Sequence, residues 1–294
     1  MSGFRSGIVA VVGRPNVGKS TLVNALVGRK IAIVSDKPQT TRRHIRAILN
    51  TPDAQVVFTD TPGFHKPKTL LGARLNDRVG DAVEGVDVIL LVVDAESGVG
   101  RGDAFVFEHQ VARGAAAKIC VVNKTDAVRH HDLVPQLAAA QETGAFDEIV
   151  PVSARDGMGV GLLRDVIVGA LPEGPALFPL GEETDQPLEL RLAELVREQA
   201  LRVTRQEVPH SVAVLVEELE REGDLTKVYA TVVVERDSQK GILIGKAGET
   251  LKTIGTHARK DMEPLLGTRV HLDLRVKVMR EWQKDPRALD RLGL

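Results

Sequence analysis

The octapeptide Gly13-Arg14-Pro15-Asn16-Val17-Gly18-Lys19-Ser20 fits the spacing Gly-x4-Gly-Lys-[Ser/Thr] and directly follows the β-branched run Ile8 to Val12. Apolar residues at helical spacing come next, Leu22, Val23, Leu26 and Val27, and stop at Gly28. The order is therefore strand, glycine loop, helix, the context in which this spacing binds phosphate rather than merely turning the chain. Gly13 and Gly18 let backbone N–H groups curl around a polyphosphate at a helix N-terminus, whose dipole favours negative charge. Lys19 would reach the β- and γ-phosphates and Ser20 would ligate Mg²⁺, with Thr21 closing the candidate nucleotide-binding loop.

A chain of 294 residues is long for one domain, so two are expected. Apolar content of 43% with 27% charged residues is ordinary for a soluble globular protein, and no apolar run is long enough to span a bilayer. Met1 to Gly7 is short and polar, unlike a secretory signal. The single cysteine, Cys120, excludes an intrachain disulfide, fits a reducing cytoplasm and reads as a small buried hydrophobe. A net charge of −1 excludes a uniformly basic nucleic-acid binder, leaving local patches as the only route to such binding.

Strand patterns recur at Ile8 to Val12, His44 to Leu49, Gln55 to Thr59, Val86 to Val93, Lys118 to Val122 and Glu148 to Val152. Helical patterns separate most of them. The second and third are joined only by Asn50-Thr51-Pro52-Asp53, too short for a crossover helix, and read as a hairpin. The expected fold class is α/β, a mostly parallel mixed sheet with helices on both faces, ending in a helix from Val160 to Leu171. Pro172-Glu173-Gly174-Pro175, Pro179 and the acidic stretch to Asp185 read as a linker, so residues 1–172, 173–186 and 187–294 are the expected domain, linker and second domain. The second domain reads as a smaller α+β unit. It has a helix from Leu188 to Val203, strands from Ser211 to Glu217 and Lys227 to Glu235 across an acidic turn Glu220 to Asp224, two helices flanking Gly245-Lys246-Ala247-Gly248, and a strand from Val270 to Val278.

Three further motifs each follow a strand. Asp60-Thr61-Pro62-Gly63 follows the third, where Asp60 can hold Mg²⁺ through a water and the Gly63 amide can sense a γ-phosphate. Asn123-Lys124-Thr125-Asp126 follows the fifth, where Asp126 can accept from N1–H and the 2-amino group of guanine, donors that adenine lacks. Charge-assisted bonds of roughly 1.5 to 3 kcal/mol each make discrimination on the order of several hundredfold reasonable. Asn123 and Lys124 would position the loop and flank the base. Ser153-Ala154-Arg155 follows the sixth strand and can offer an amide to the guanine oxygen.

In order and spacing these motifs resemble the sequence boxes of the translation-factor-like GTPases across most of residues 7–171. The resemblance implies GTP and GDP as ligands, and hydrolysis by water attack on the γ-phosphoryl group, with Lys19, Thr41 and Gly63 as its catalytic residues. It places the second box at Pro38-Gln39-Thr40-Thr41-Arg42, with a threonine on Mg²⁺ and the γ-phosphate. Thr41, directly before the arginine, is preferred, with Thr40 as the alternative. Phe64 stands where many such switches carry a water-orienting glutamine. Asn16 is similar to the asparagine that helps bind a catalytic K⁺ in some members, or is a residue tolerating a tight turn.

Ile244-Gly245-Lys246-Ala247-Gly248-Glu249, between helices, resembles the loop of a KH domain, a single-stranded RNA reader, and the element order matches the type II form. Lys240, Lys246, Lys252, Arg259 and Lys260 surround it, as a phosphate-tracking groove needs. Ile244, Gly245, Lys246, Ala247, Gly248 and Lys252 are the expected RNA contacts. Trp282 reads as covering the edge of its own core, with stacking on a base as the alternative. The GTPase boxes, Gln39-Thr40-Thr41-Arg42, Asp60 to His65, and the run from Arg236 to Lys246 together resemble the Era family over essentially the whole chain. That resemblance implies a role in maturation of the small ribosomal subunit and binding of a single-stranded segment near the 3′ end of 16S ribosomal RNA. It also implies a cytoplasmic protein, read as a monomer, with peripheral association with the cell membrane attributed to the family.

Overall fold

The structure is a computed structural model and describes residues 3–37, 40–42, 45–61, 70–81, 83–112, 115–204 and 208–294, without the side chains of 76–81 and 210. The chain forms two units. The first comprises Met1–Val34, Thr41–Pro67 and Gly72–Asp185; the second comprises Ser35–Thr40, Lys68–Leu71 and Gln186–Leu294.

In the first unit the elements are β1 (Arg5–Val12), α1 (Lys19–Val27), β2 (Ile45–Asn50), β3 (Ala54–Asp60), α2 (Leu70–Asp81), β4 (Val88–Asp94), α3 (Arg101–Val106), β5 (Ala117–Asn123), α4 (His130–Thr143), β6 (Glu148–Pro151) and α5 (Val160–Ala170). Leu70 and Leu71, which open α2, group with the second unit. The six strands lie in the order β2-β3-β1-β4-β5-β6. Only β2 runs antiparallel, against β3, because its short connection leaves no room for a crossover helix. The other pairings are parallel, as alternating strands and helices require.

Alternate residues of the strands enter opposite cores. Val9, Val11, Leu90 and Val121 pack with Leu22 and Leu26 of α1 and Leu163 and Ile167 of α5. Ala10, Val12, Ile89, Leu91 and Cys120 pack with Val106 of α3 and Ala140 of α4. Every residue of β4 is buried, which explains its unbroken apolar run. Burial pushes the Cys120 thiol up to about 12, with the Asp103 carboxylate adding to the effect, so it is an inert core residue.

Residues 173–185, which composition marks as a linker, are held along the first unit. Fully buried Gln55 accepts from the amides of Leu177 and Phe178 and donates to the Phe178 carbonyl. The Ile48 amide of edge strand β2 donates to the Glu183 carbonyl at 2.8 Å. The segment thereby covers part of the open edge of β2. Its prolines and acids make it irregular without making it free.

The second unit contains α6 (Leu188–Val203), β7 (Ala213–Glu222), β8 (Leu225–Val234), α7 (Asp237–Ile244), α8 (Glu249–Leu266), β9 (Arg269–Val278) and α9 (Pro286–Arg291). Its sheet runs β7-β8-β9, with β7 and β8 antiparallel and β8 and β9 parallel. Leu192 and Val196 of α6 and Ile254, Ala258 and Met262 of α8 cover one face over Val214, Val228 and Val232. The expected acidic turn is tighter than its charge suggests. Strand pairing continues to Glu222 and resumes at Leu225, with Gly223 in the left-handed region at φ +58°. The acids lie on a ribbon whose Lys227 bonds Glu222 at 2.6 Å. Trp282 is fully buried, its Nε1 donating to the Ser211 carbonyl, which supports the core reading and removes the stacking alternative.

Candidate functional site

The phosphate-loop residues, Asp60, Asn123 and Ser153 all lie at or just beyond the C-terminal ends of strands β1, β3, β5 and β6. Chain direction across the sheet reverses between β1 and β4, and a crevice forms there in open α/β sheets. The loop from Gly13 to Gly18 sits at that crevice. A Cβ on Gly13 (φ +151°) would lie 2.4 Å from the Val92 carbonyl oxygen, and one on Gly18 (φ +95°) 2.3 Å from Asn123 Nδ2. Only glycine fits either place.

Lys19 is buried at the start of α1, and its ammonium donates to the Gly13 and Arg14 carbonyls at 3.0 Å each. Burial pulls it down to about 8, against the opposing pull of the Asp60 carboxylate. Ser20 Oγ donates to Asp60 Oδ2 at 2.7 Å and lies 3.0 Å from Thr41 Oγ1, which donates to the same carboxylate oxygen at 3.2 Å. Among the described residues no side chain bonds the other oxygen, buried Asp60 Oδ1. Burial raises the Asp60 carboxyl above the usual range in spite of Ser20, Lys19, Thr41 and the Thr61 amide. Two hydroxyls around a half-satisfied carboxylate form an all-oxygen donor set of the kind that suits a small hard cation. Of the two threonines considered from sequence, Thr41 joins this cluster, whereas the Thr40 hydroxyl donates to the Lys37 carbonyl at 2.6 Å.

At the other side of the crevice, Asn123 Nδ2 donates to the Val17 carbonyl and Asn123 Oδ1 accepts from the Ala154 amide, tying three loops together. Asp126 Oδ1 accepts from Ser153 Oγ at 2.8 Å. Arg155 lies 3.6 Å from Asp126 with its side chain 81% exposed, too solvated to add much. Thr61 Oγ1 donates into β1 at the Val11 carbonyl, so its side chain supports the loop. Pro62, Gly63, Phe64, Pro38 and Gln39 lie outside the described residues.

Arg14 belongs to the phosphate loop, but its side chain turns away from it. Its guanidinium turns to Asp103, 2.7 Å away, and to the Gly98 carbonyl, so only its backbone faces the loop interior through Lys19. Sequence reasoning also missed Asp94, at the end of β4, whose Oδ2 accepts from Lys124 Nζ at 2.7 Å. Burial works to raise this carboxyl, but the Lys124 bond and the Ser97 and Glu96 amides outweigh it and hold it below the usual range. A carboxylate ending a buried strand on the side where ligands bind was the available signal.

In the second unit the Gly-x-x-Gly loop joins α7 to α8. A Cβ on Gly245 (φ +73°) would lie 2.2 Å from Thr250 Oγ1, and Gly248 takes φ +82°. Lys246 and Ala247 are exposed at the tip, Lys252 is exposed one turn into α8, and Ile244 is half-buried beneath. Beside the loop runs a groove of about 480 Å³ lined by Gly248, Leu251, Lys252, Gly255, Arg259 and, from β9, His271, Leu272 and Leu274. The β9 residues escaped the sequence analysis because strand alternation alone does not say which face borders a groove. Among the described residues no helix is long and apolar enough to cross a membrane.

A family model described as a 50S ribosome-binding GTPase matches residues 8–124, and one described as a KH domain matches residues 207–283. GTPase Era of Mycobacterium tuberculosis is 53% identical and that of Mycobacterium avium 52% identical, each over 300 residues covering 100% of both chains. The crystal structure of Era in complex with MgGDPNP and nucleotides 1506–1542 of 16S ribosomal RNA is similar with a TM-score of 0.95 at 38% identity, over 99% of each chain. Aquifex aeolicus Era bound to GDP·AlF4⁻ gives the same values.

Fold, site and matches define a P-loop GTPase followed by a KH domain. More narrowly, the chain belongs to the Era family of GTPases.

Proposed function

We propose that the chain is a switch that binds GTP with Mg²⁺, hydrolyses it to GDP and phosphate, and uses its KH domain to bind the 3′ region of 16S ribosomal RNA during maturation of the small subunit. Residues 1–172 are its GTPase domain, 187–294 its RNA-binding domain, and 173–186 the connection. The observation that carries the nucleotide reading is the convergence of Ser20, Thr41 and Asp60, with one buried carboxylate oxygen that no described side chain bonds. Ser20, Thr41 and Asp60 would hold Mg²⁺, Asp60 through a water. The cation supplies charge neutralisation on the phosphate oxygens when bound.

Lys19 would exchange its two loop carbonyls for phosphate oxygens, and the loop amides from Gly13 to Thr21 would complete the cradle. The Gly63 amide would sense the γ-phosphate. Asp126 would accept from guanine N1–H and the 2-amino group, held in place by Ser153, while Ala154 and Arg155 offer amides to the guanine oxygen and Asn123 and Lys124 shape the pocket. Asn16, exposed at φ +64°, would contribute to a K⁺ site, and a hydrolysis rate equal in K⁺ and Na⁺ would remove that role.

The RNA reading is supported by the groove beside Gly245-Lys246-Ala247-Gly248, with Ile244 and Lys252 flanking it, and by the ribosomal RNA in the related Era complex. The protein acts in the cytoplasm as a monomer. Crosslinking to ribosomal RNA, with and without a nonhydrolysable GTP analogue, tests the whole reading. Crosslinks at the 3′ end of 16S RNA that depend on the analogue are expected, and crosslinks spread evenly over the ribosome would refute it.

A further inference from the structure

Between β4 and α3 the chain could have turned with a few solvated residues. Instead it buries charge at both ends of the connection. Asp103 is fully buried, with Oδ1 on Arg14 Nε at 2.7 Å and Oδ2 accepting from the Gly100 amide at 3.0 Å. Arg14 also donates to the Gly98 carbonyl at 3.0 Å, so one side chain of the phosphate loop is fastened at two points. At the other end Asp94 takes the Lys124 ammonium on Oδ2 and the Glu96 and Ser97 amides on Oδ1. The Ala95 amide donates to the Asn123 carbonyl, and the Val99 amide to Gln136 of α4. Every one of these bonds leaves residues 94–103 for the phosphate loop, for the Asn123-Lys124 loop or for the segment's own backbone, save the single anchor on α4. Ion pairs removed from water contribute little net stability, because desolvation cancels most of their attraction. What they do provide is a fixed geometry for both partners.

We propose that residues 94–103 form a strut, pinned by the Asp103–Arg14 and Asp94–Lys124 pairs, that sets the separation of the phosphate-gripping loop and the base-recognition loop. Asp94 and Asp103 are thus positioning residues for the guanine nucleotide, acting through Arg14 and Lys124 without touching it. The inference rests on the nucleotide reading above and adds the part of the fold that holds its two halves in register.

Gly102 offers a perturbation that leaves all four charges in place. A Cβ there would lie 2.7 Å from Arg14 Cδ, so Gly102→Ala must shift the arginine while improving helix propensity in α3. Titration of the full chain with a fluorescent GDP in Mg²⁺ buffer is expected to show about tenfold weaker binding for Gly102→Ala and for Asp94→Asn. The melting temperature of the nucleotide-free Gly102→Ala chain should be no lower than that of the unaltered chain, whereas a merely structural role would lower it. If the strut works as one body, combining the two substitutions costs little more than either alone; independent sites would multiply to about a hundredfold. Wild-type affinity in Gly102→Ala, or a multiplicative double variant, overturns the strut. Failure of the unaltered chain to bind GDP would instead overturn the nucleotide reading, and the strut with it.

Discussion

Burial pulls the Lys19 ammonium down and pushes the Asp60 carboxyl up, and a bound triphosphate with its cation would oppose both shifts. The lysine, near 8 against an ordinary 10.5, is charged below pH 8 in the free protein. Phosphate oxygens favour the ammonium, so the bound lysine titrates higher than the free one. Nucleotide affinity should therefore be flat up to about pH 8 and fall by up to tenfold per pH unit above it, as calorimetry across a pH series would record. The sign reverses for the folding of the empty site. Between pH 8 and 10.5 the unfolded chain holds a proton that the folded chain has lost, so this residue makes the fold more stable as pH rises. A second residue-scale expectation concerns the base. Asp126→Asn turns an acceptor into a partial donor, so the chain should lose GTP affinity by at least about tenfold and gain xanthosine triphosphate, and unaltered GTP binding would contradict the role of Asp126. Thr41→Ala should slow hydrolysis at least about tenfold, whereas Thr40→Ala, whose hydroxyl serves only its own loop, should leave turnover close to wild type in a phosphate-release assay.

At the level of elements, residues whose type is dictated by the backbone were the legible ones. Gly13, Gly18 and Gly245 stand where a Cβ meets carbonyl oxygen, amide nitrogen or hydroxyl at under 2.5 Å, and the sequence announces them as glycines at fixed spacing. The strands were equally plain, because parallel strands buried on both faces read as continuous Val and Ile runs. Partnerships across long sequence separations were not. Arg14 belongs to the phosphate-loop motif by position, yet its guanidinium is committed to Asp103, 89 residues away, and no periodicity shows such a pair. Segment 173–185 likewise carries every sign of a linker, while the residue that fastens it, Gln55, looks like an ordinary strand polar residue. The Gly-x-x-Gly loop supplies a further test. Gly245→Asp with Gly248→Asp places carboxylates where phosphates would approach, so RNA binding in a filter assay should fall by about a hundredfold or more, with its salt dependence flattened. Nucleotide hydrolysis without RNA should persist, and RNA binding at wild-type strength would remove the loop from the interface.

On the scale of the whole molecule, a net charge of −1 leaves RNA binding to a local concentration of cations rather than to overall attraction. Lys252 and Arg259 would supply it along one groove. The presence of a GTPase domain followed by a KH domain was readable because the hydrophobic pattern changes character along the chain, from strand–helix alternation to helix, hairpin and helix pair. What the two units exchange was not readable, since the second box and its neighbours carry little pattern of their own. Nucleotide binding depends on one cradle whose grip would need magnesium and whose pocket would need guanine. Titration calorimetry of the purified chain in Mg²⁺ buffer tests it most directly. One molecule each of GDP and GTP should bind, chelation of Mg²⁺ should weaken the GTP more, and ATP should give no heat. Absence of guanine-nucleotide binding, or equal binding of ATP, would contradict it.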